Sequence, residues 1–167
     1  MDRPLRIATL GDLVLDVIVI GDPNAEKTAR DAEGAVRITP GGGAANFAVA
    51  AARAGAEVAF FGRVGDDPAG RLLVAELARD GVTARVKTTS AGKTGHVLVL
   101  VASGADGQNR MISDPGASAA LAPEDLDEAV LRGADLVHLT GYSWLREGPS
   151  AAARAALDAA KAGGAKV

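Results

Sequence analysis

Short apolar runs alternate along the chain with alanine-rich segments of helical character. Apolar or alternating patterns predict strands at residues 5–10, 13–20, 35–39, 57–61, 83–87, 94–102, 108–113 and 135–139. Composition and capping residues predict helices at 44–54, from 67 to about 79, from 123 to near 133, and at 149–162. Strands that alternate with helices indicate βαβ units and a mostly parallel sheet, which is an α/β fold.

Two regions break this alternation. The early strands at 13–20 and 35–39, and a hairpin over 94–113 with a turn at 103–107, predict a small β appendage beside the main sheet. The last helix is followed by residues 165–167, which look like the start of another strand. We therefore expect the chain to be the N-terminal part of a longer protein.

Composition narrows the function classes. The 167 residues suit one domain, and the net charge is −3. The lack of Cys excludes a disulfide scaffold, a thiol nucleophile and a Cys-ligated zinc site. The slight negative charge argues against nucleic acid as a partner. The start of the chain shows neither a signal peptide nor a long apolar span, so we expect a cytoplasmic protein that does not interact with membranes.

The glycine-rich turn at residues 40–43 is the strongest local signal, because it joins a strand to a helix. Glycines allow close backbone approach to a ligand, and a helix start offers free N–H donors. A dinucleotide fingerprint fits poorly, since Asn46 occupies the third glycine position and no acid ends the next strand. No Lys-Ser or Lys-Thr follows, which rejects a phosphate loop. A polyol site, in which Asn46 contacts hydroxyls, and a turn that binds nothing both stay open.

Spacing over a longer stretch resembles the first sequence pattern of the PfkB carbohydrate kinases, the ribokinase-like family. The matching residues, in order, are Gly11 and Asp16; Gly42, Gly43, Ala44, Asn46 and Ala48; Gly55; Gly65 with Asp66, Asp67 and Gly70; Thr94-Gly95; Asp114-Pro115-Gly116-Ala117; and Leu139-Thr140-Gly141-Tyr142. The resemblance covers nearly the whole chain.

The resemblance implies a ribokinase-like fold, with residues 1–167 forming the N-terminal substrate-binding part of one domain. It implies that Asp16, Gly42, Gly43 and Asn46 bind a sugar, and that Arg110 faces the substrate. The implied reaction is phosphoryl transfer from ATP and Mg²⁺ to a sugar hydroxyl. The family's Gly-Ala-Gly-Asp turn with its catalytic Asp does not occur here. We therefore predict no catalytic residue and no metal site in this chain, ATP and Mg²⁺ bound mainly by a missing C-terminal half, and an isolated chain that is inactive.

In the same family the segments at about 13–39 and 94–113 would form a β lid that excludes water, and lid edges could pair in a homodimer. Gly43 stands where ribose-type members often have Lys, and Thr140-Gly141 where they have a Glu that contacts the sugar. Fructose-like, keto-deoxy-gluconate-like and nucleoside substrates therefore remain open. A nucleoside kinase and a non-catalytic sugar-binding fragment are the alternative functions.

Overall fold

The computed structural model describes residues 3–21, 34–102 and 109–167. The strands are β1 Arg6–Leu10, β2 Val14–Gly21, β3 Ala35–Gly41, β4 Glu57–Gly65, β5 Thr83–Thr89, β6 Thr94–Ala102, β7 Arg110–Gly116 and β8 Leu136–Leu139. The α-helices are α1 Gly43–Arg53, α2 Pro68–Arg79, α3 Glu128–Gly133 and α4 Glu147–Gly163. Single 3₁₀ turns cover Ala117–Ala120, Pro123–Asp125 and Gly141–Trp144. The sequence also predicts a polar loop at 21–34; its residues 22–33, and the predicted turn at 103–107, lie outside the described residues.

The main sheet has the order β5-β4-β1-β8, and all of its pairings are parallel. Helices cover both faces. On one face, alanines of α1 and leucines of α2 pack against Ile7, Val58 and Phe60. On the other face, alanines of α4 pack against Ala8, Leu10 and Phe61. Because alanine is small, α1 and α4 approach the sheet closely, and this confirms the predicted α/β fold with a sheet flanked by helices.

A second four-stranded sheet has the order β3-β2-β6-β7 and mixes parallel and antiparallel pairs. It contains the segments predicted as a lid, and we call it the lid sheet. The chain passes between the two sheets twice, beside the glycine-rich turn. β1 leads into β2 through residues 11–13, and only Gly42 separates the end of β3 from the start of α1. The lid sheet therefore meets the main sheet at the carboxyl end of β1.

Most predicted boundaries are confirmed to within a few residues. The helix predicted from Pro123 to Gly133 is wrong as one element, because the backbone is extended at Leu126 and Asp127. Asp125 closes the first turn by accepting from the Ala122 N–H, and Asp127 then caps α3 as a separate helix. At the C-terminal end, Lys166 forms a parallel bridge with Leu136 of β8.

Candidate functional site

The glycine-rich turn brings β3 onto the start of α1. The first intrahelical hydrogen bond is donated by the Asn46 N–H to the Gly42 carbonyl. The N–H groups of residues 43–45 therefore have no acceptor within the helix. Gly42 has a φ of +104°, and a Cβ there would overlap the carbonyl oxygen of Asp12. Glycine is therefore required at position 42 for both conformation and space. The turn presents backbone donors at the carboxyl end of the main sheet.

Asp16 lies on β2, beside this turn. Its carboxylate packs directly on Gly41, because a Cβ on Gly41 would overlap the Asp16 Cγ and both carboxylate oxygens. Burial raises the pKa of Asp16, and no hydrogen bond within the described residues offsets that burial. A half-buried carboxylate without a protein donor is ready to accept from ligand hydroxyl groups.

The other side of the turn is closed by Gly11 and by the segment that follows β8. Gly11 packs so tightly on α1 that a Cβ would come within 2.9 Å of the Ala44 Cβ. Such a Cβ would also lie 3.6 Å from the Thr140 Oγ1 and 3.7 Å from the Ser143 Oγ. Residues after β1, after β3 and after β8 thus meet in one place. The carboxyl ends of parallel strands are where open α/β sheets bind ligands.

Asn46 is exposed on the first turn of α1. The next residue, Phe47, stacks on the His138 ring with centroids 3.8 Å apart, and the Nδ1 of His138 lies 2.9 Å from the Thr9 Oγ1. Burial lowers the pKa of His138, which favours the neutral imidazole in this stack. The stack packs α1 against β8, and Asn46 directly precedes the stacked Phe47.

Arg110 does not join this group. In the lid sheet Asp16 pairs with Val97, and Val97 pairs with Ser113, so these three side chains share one face. Arg110 lies three residues before Ser113 on the same strand and is therefore on the opposite face. The structure brings together Asp16, Gly42, Gly43 and Asn46, but it places Arg110 on the outer side of the lid sheet.

Asp67 anchors the lid sheet to the main sheet. It caps α2 by accepting from the Gly70 N–H at 2.8 Å, which confirms the predicted cap. Its carboxylate also accepts from the Thr94 N–H at 2.8 Å and the Thr94 hydroxyl at 2.7 Å. Burial raises the pKa of Asp67, but the hydrogen bonds from Thr94 and Gly70 outweigh this effect and lower it to about 2. The turn at 65–70 is therefore structural.

Other parts of the described chain show no comparable candidate for a binding site. No group of three metal-ligating side chains occurs in the described ranges, and no helix there is long and apolar enough to cross a membrane. A groove of about 610 Å³ opens at the amino ends of β1, β4 and β5. Its two arginines are already paired, Arg6 with Asp135 at 3.6 Å and Arg85 with Asp127 at 3.4 Å. The groove also lies at the opposite end of the sheet from the glycine turn.

The sequence analysis did not single out Asp12, and it gave Thr140 as part of the family pattern and as a departure from ribose-type members, without a role. Thr140 directly follows β8, and Asp12 follows β1 after one residue, Gly11, whose φ is +148°. A polar residue at the carboxyl end of a buried strand was the available signal. Tyr142 and Trp144 are exposed in the 3₁₀ turn after β8, and the Arg154 guanidinium lies 5.6 Å from the Trp144 ring centroid.

The fold is an α/β fold in which helices flank a parallel sheet and a second sheet lies beside the glycine turn, and the comparisons identify its family. The pfkB family carbohydrate kinase pattern matches residues 5–167, so the chain belongs to that family. It is 30% identical over 161 residues to probable fructokinase-4 of Arabidopsis thaliana, covering 95% of this chain and 48% of the relative.

Solved structures show the same similarity. Adenosine kinase from Sinorhizobium meliloti superposes with a TM-score of 0.83 at 25% identity, over 96% of this chain and 54% of that one. Fructokinase with bound ATP from Xylella fastidiosa superposes with a TM-score of 0.80 at 26% identity, over 97% of this chain and 50% of that one. The chain spans about half the length of the relatives it matches.

Proposed function

We propose that this chain is the N-terminal part of a longer protein that transfers a phosphoryl group from ATP to a hydroxyl of a sugar. The chain supplies the sugar site and the lid, and the missing half supplies the catalytic base and most of the ATP–Mg²⁺ site. One observation carries the proposal: the Asp16 carboxylate, which has no hydrogen-bond donor among the described residues, packs on the glycine turn at the start of α1. Family membership and the half-length matches support it.

The geometry supports the following roles. Asp16 accepts hydrogen bonds from sugar hydroxyls, and the exposed Asn46 amide both donates to and accepts from them. Gly43 leaves room for the sugar to approach the backbone, and Gly42 packs on the Asp12 carbonyl and so holds the backbone of the turn beside the sugar. The lid sheet, which begins one residue after the Gly11–Leu13 crossing, shields the bound sugar from water. These residues bind and orient the substrate, and positioning is a large part of catalysis in phosphoryl transfer.

We assign ATP and Mg²⁺ to no particular residue of this chain and derive no step through either. The described residues contain no cluster of three metal-ligating side chains. ATP enters the proposal because the chain belongs to a carbohydrate kinase family and resembles a fructokinase structure that contains ATP. The isolated chain is accordingly proposed to be inactive.

The test begins with the coding sequence beyond Val167, where a strand followed by Gly-Ala-Gly-Asp and a helix is expected. The full-length protein is then assayed for ATP-dependent phosphorylation of fructose, ribose, 2-keto-3-deoxygluconate and adenosine. Asp16→Asn should raise the KM for the sugar about 10- to 100-fold, because a hydrogen bond to a charged group is lost. Asp158→Asn, an exposed change on α4, is the matched control. Phosphorylation by the isolated 167-residue chain would contradict the proposed division of labour.

A nucleoside substrate is the second candidate, because adenosine kinase shares the fold at 25% identity. The exposed aromatics Tyr142 and Trp144 follow β8 close to the site and could stack on a base. Preference for adenosine over all sugars in the same panel would select this alternative. Binding of a sugar without phosphorylation by the full-length protein would instead select a non-catalytic sugar-binding protein.

We also propose a homodimer through the outer face of the lid sheet. Val36, Ile38 and Ile112 lie on the face opposite Asp16 and are 62–63% exposed. An exposed apolar sheet face of this kind favours burial against a second copy. Light scattering of the full-length protein should give a dimer, and Ile38→Lys should give a monomer. Leu72→Lys, on exposed α2, should leave the dimer intact.

A further inference from the structure

Asp12 occupies a fixed position between the main sheet and the glycine turn. It follows Gly11 at the carboxyl end of β1, and Gly42 packs directly over its carbonyl group. Asp16 contacts the neighbouring Gly41 with its carboxylate. Asp12 and Asp16 therefore flank the same three-glycine turn, Asp12 through its backbone at Gly42 and Asp16 through its side chain at Gly41.

Acids that are buried or half-buried elsewhere in the described chain all have donors. Six of them accept hydrogen bonds from protein groups: Asp67, Glu76, Asp80, Asp125, Asp127 and Asp135. Asp12 and Asp16 are the two exceptions among the described residues. Unpaired desolvated carboxylates are costly, so a group outside the described residues is expected to donate to both.

Asp12 is half-buried at this position. Burial raises its pKa, and the positive charge of Arg146 opposes that shift. Arg146 is exposed and has no ion pair within 4.0 Å among the described residues. Its charge therefore favours the ionised form of Asp12 without occupying the carboxylate oxygens.

We propose that Asp12 is a second substrate-binding carboxylate, which accepts a hydrogen bond from a different hydroxyl of the substrate than Asp16 does. The inference rests on the proposed function, whose sugar site it extends. It assigns the substrate class as a polyhydroxy compound with at least two free hydroxyls facing the glycine turn. Asp12 then determines specificity, because a substrate that lacks the second hydroxyl leaves this carboxylate unpaired.

The experiment uses the full-length protein, its best substrate from the panel above, and the monodeoxy analogues of that substrate. Asp12→Ala should raise the KM for the sugar about 10- to 100-fold while the KM for ATP stays unchanged. With the wild type, one deoxy analogue should have a KM that exceeds the KM of the parent sugar by a similar factor. With Asp12→Ala, this analogue and the parent sugar should have the same KM. The isosteric Asp12→Asn provides a second variant if the Ala variant does not fold, and Asp158→Ala is the control.

Calorimetric binding of the same compounds separates the two proposals. Wild-type protein that binds the sugar without phosphorylating it contradicts the kinase proposal, and the deoxy series measured by binding then decides the role of Asp12. If removal of each hydroxyl weakens binding by the same factor in the wild type and in the Asp12 variant, the assignment of Asp12 is overturned. Absence of binding to every compound would overturn it as well.

Discussion

Replacement of Gly42 by Ala tests the construction of the site most directly. With φ at +104°, the new side chain costs about 1–2 kcal/mol in backbone strain. Its Cβ would also overlap the Asp12 carbonyl oxygen and lie 2.7 Å from the carbonyl carbon. Because this obstacle is backbone, relieving it costs about 1–3 kcal/mol more. The smaller entropy of the unfolded Ala chain returns about 0.4–1 kcal/mol.

The expected net loss for Gly42→Ala is therefore about 2–4 kcal/mol in the free energy of unfolding, measured by urea denaturation. Two glycines serve as matched controls. Gly81 has a φ of +79° but open space around its Cβ position, so Gly81→Ala should lose only about 1 kcal/mol. Gly141 has neither strain nor overlap, and Gly141→Ala should be neutral within about 0.5 kcal/mol. A loss at Gly42 no larger than that at Gly81 would refute the described packing on Asp12.

Three further predictions concern other polar contacts. Asp67→Ala should cost about 2 kcal/mol through loss of the cap and the Thr94 hydrogen bonds. Because the folded pKa of Asp67 is about 2, wild-type stability should fall by about 1 kcal/mol between pH 4 and pH 2, and less in the variant. Asp125→Ala should lower the free energy of unfolding by about 3 kcal/mol, because it leaves the Arg63 guanidinium without its carboxylate partner. If urea denaturation gives the same stability for the variant and the wild type, the ion pair does not contribute as described. The lowered pKa of His138 should give an NMR titration midpoint below 6.5, with stability rising with pH through that window and less steeply in His138→Phe.

Local patterns were sufficient for much of the fold. The helix predicted from Asp67 is confirmed at Pro68–Arg79, because an N-cap acid, a Pro in the first turn and a terminal Gly81 all act within a few residues. The strand Thr94–Ala102 is confirmed to the residue, because its β-branched alternation is also local. The break at Leu126 was missed, since it depends on the Asp125 side chain folding back to Ala122 and reaching Arg63 across the structure.

The sequence by itself determined the family, the glycine turn and the acid at Asp16, because these are encoded in residue types at fixed spacings. The tertiary structure alone decided which side chains face one another. Strand register put Arg110 on the outer face of the lid sheet, since side chains alternate every residue and pairing partners come from distant segments. Packing of Gly42 on the backbone carbonyl of Asp12, across 30 positions of the chain, placed Asp12 next to the glycine turn. Such contacts depend on long-range pairing, which no local pattern specifies.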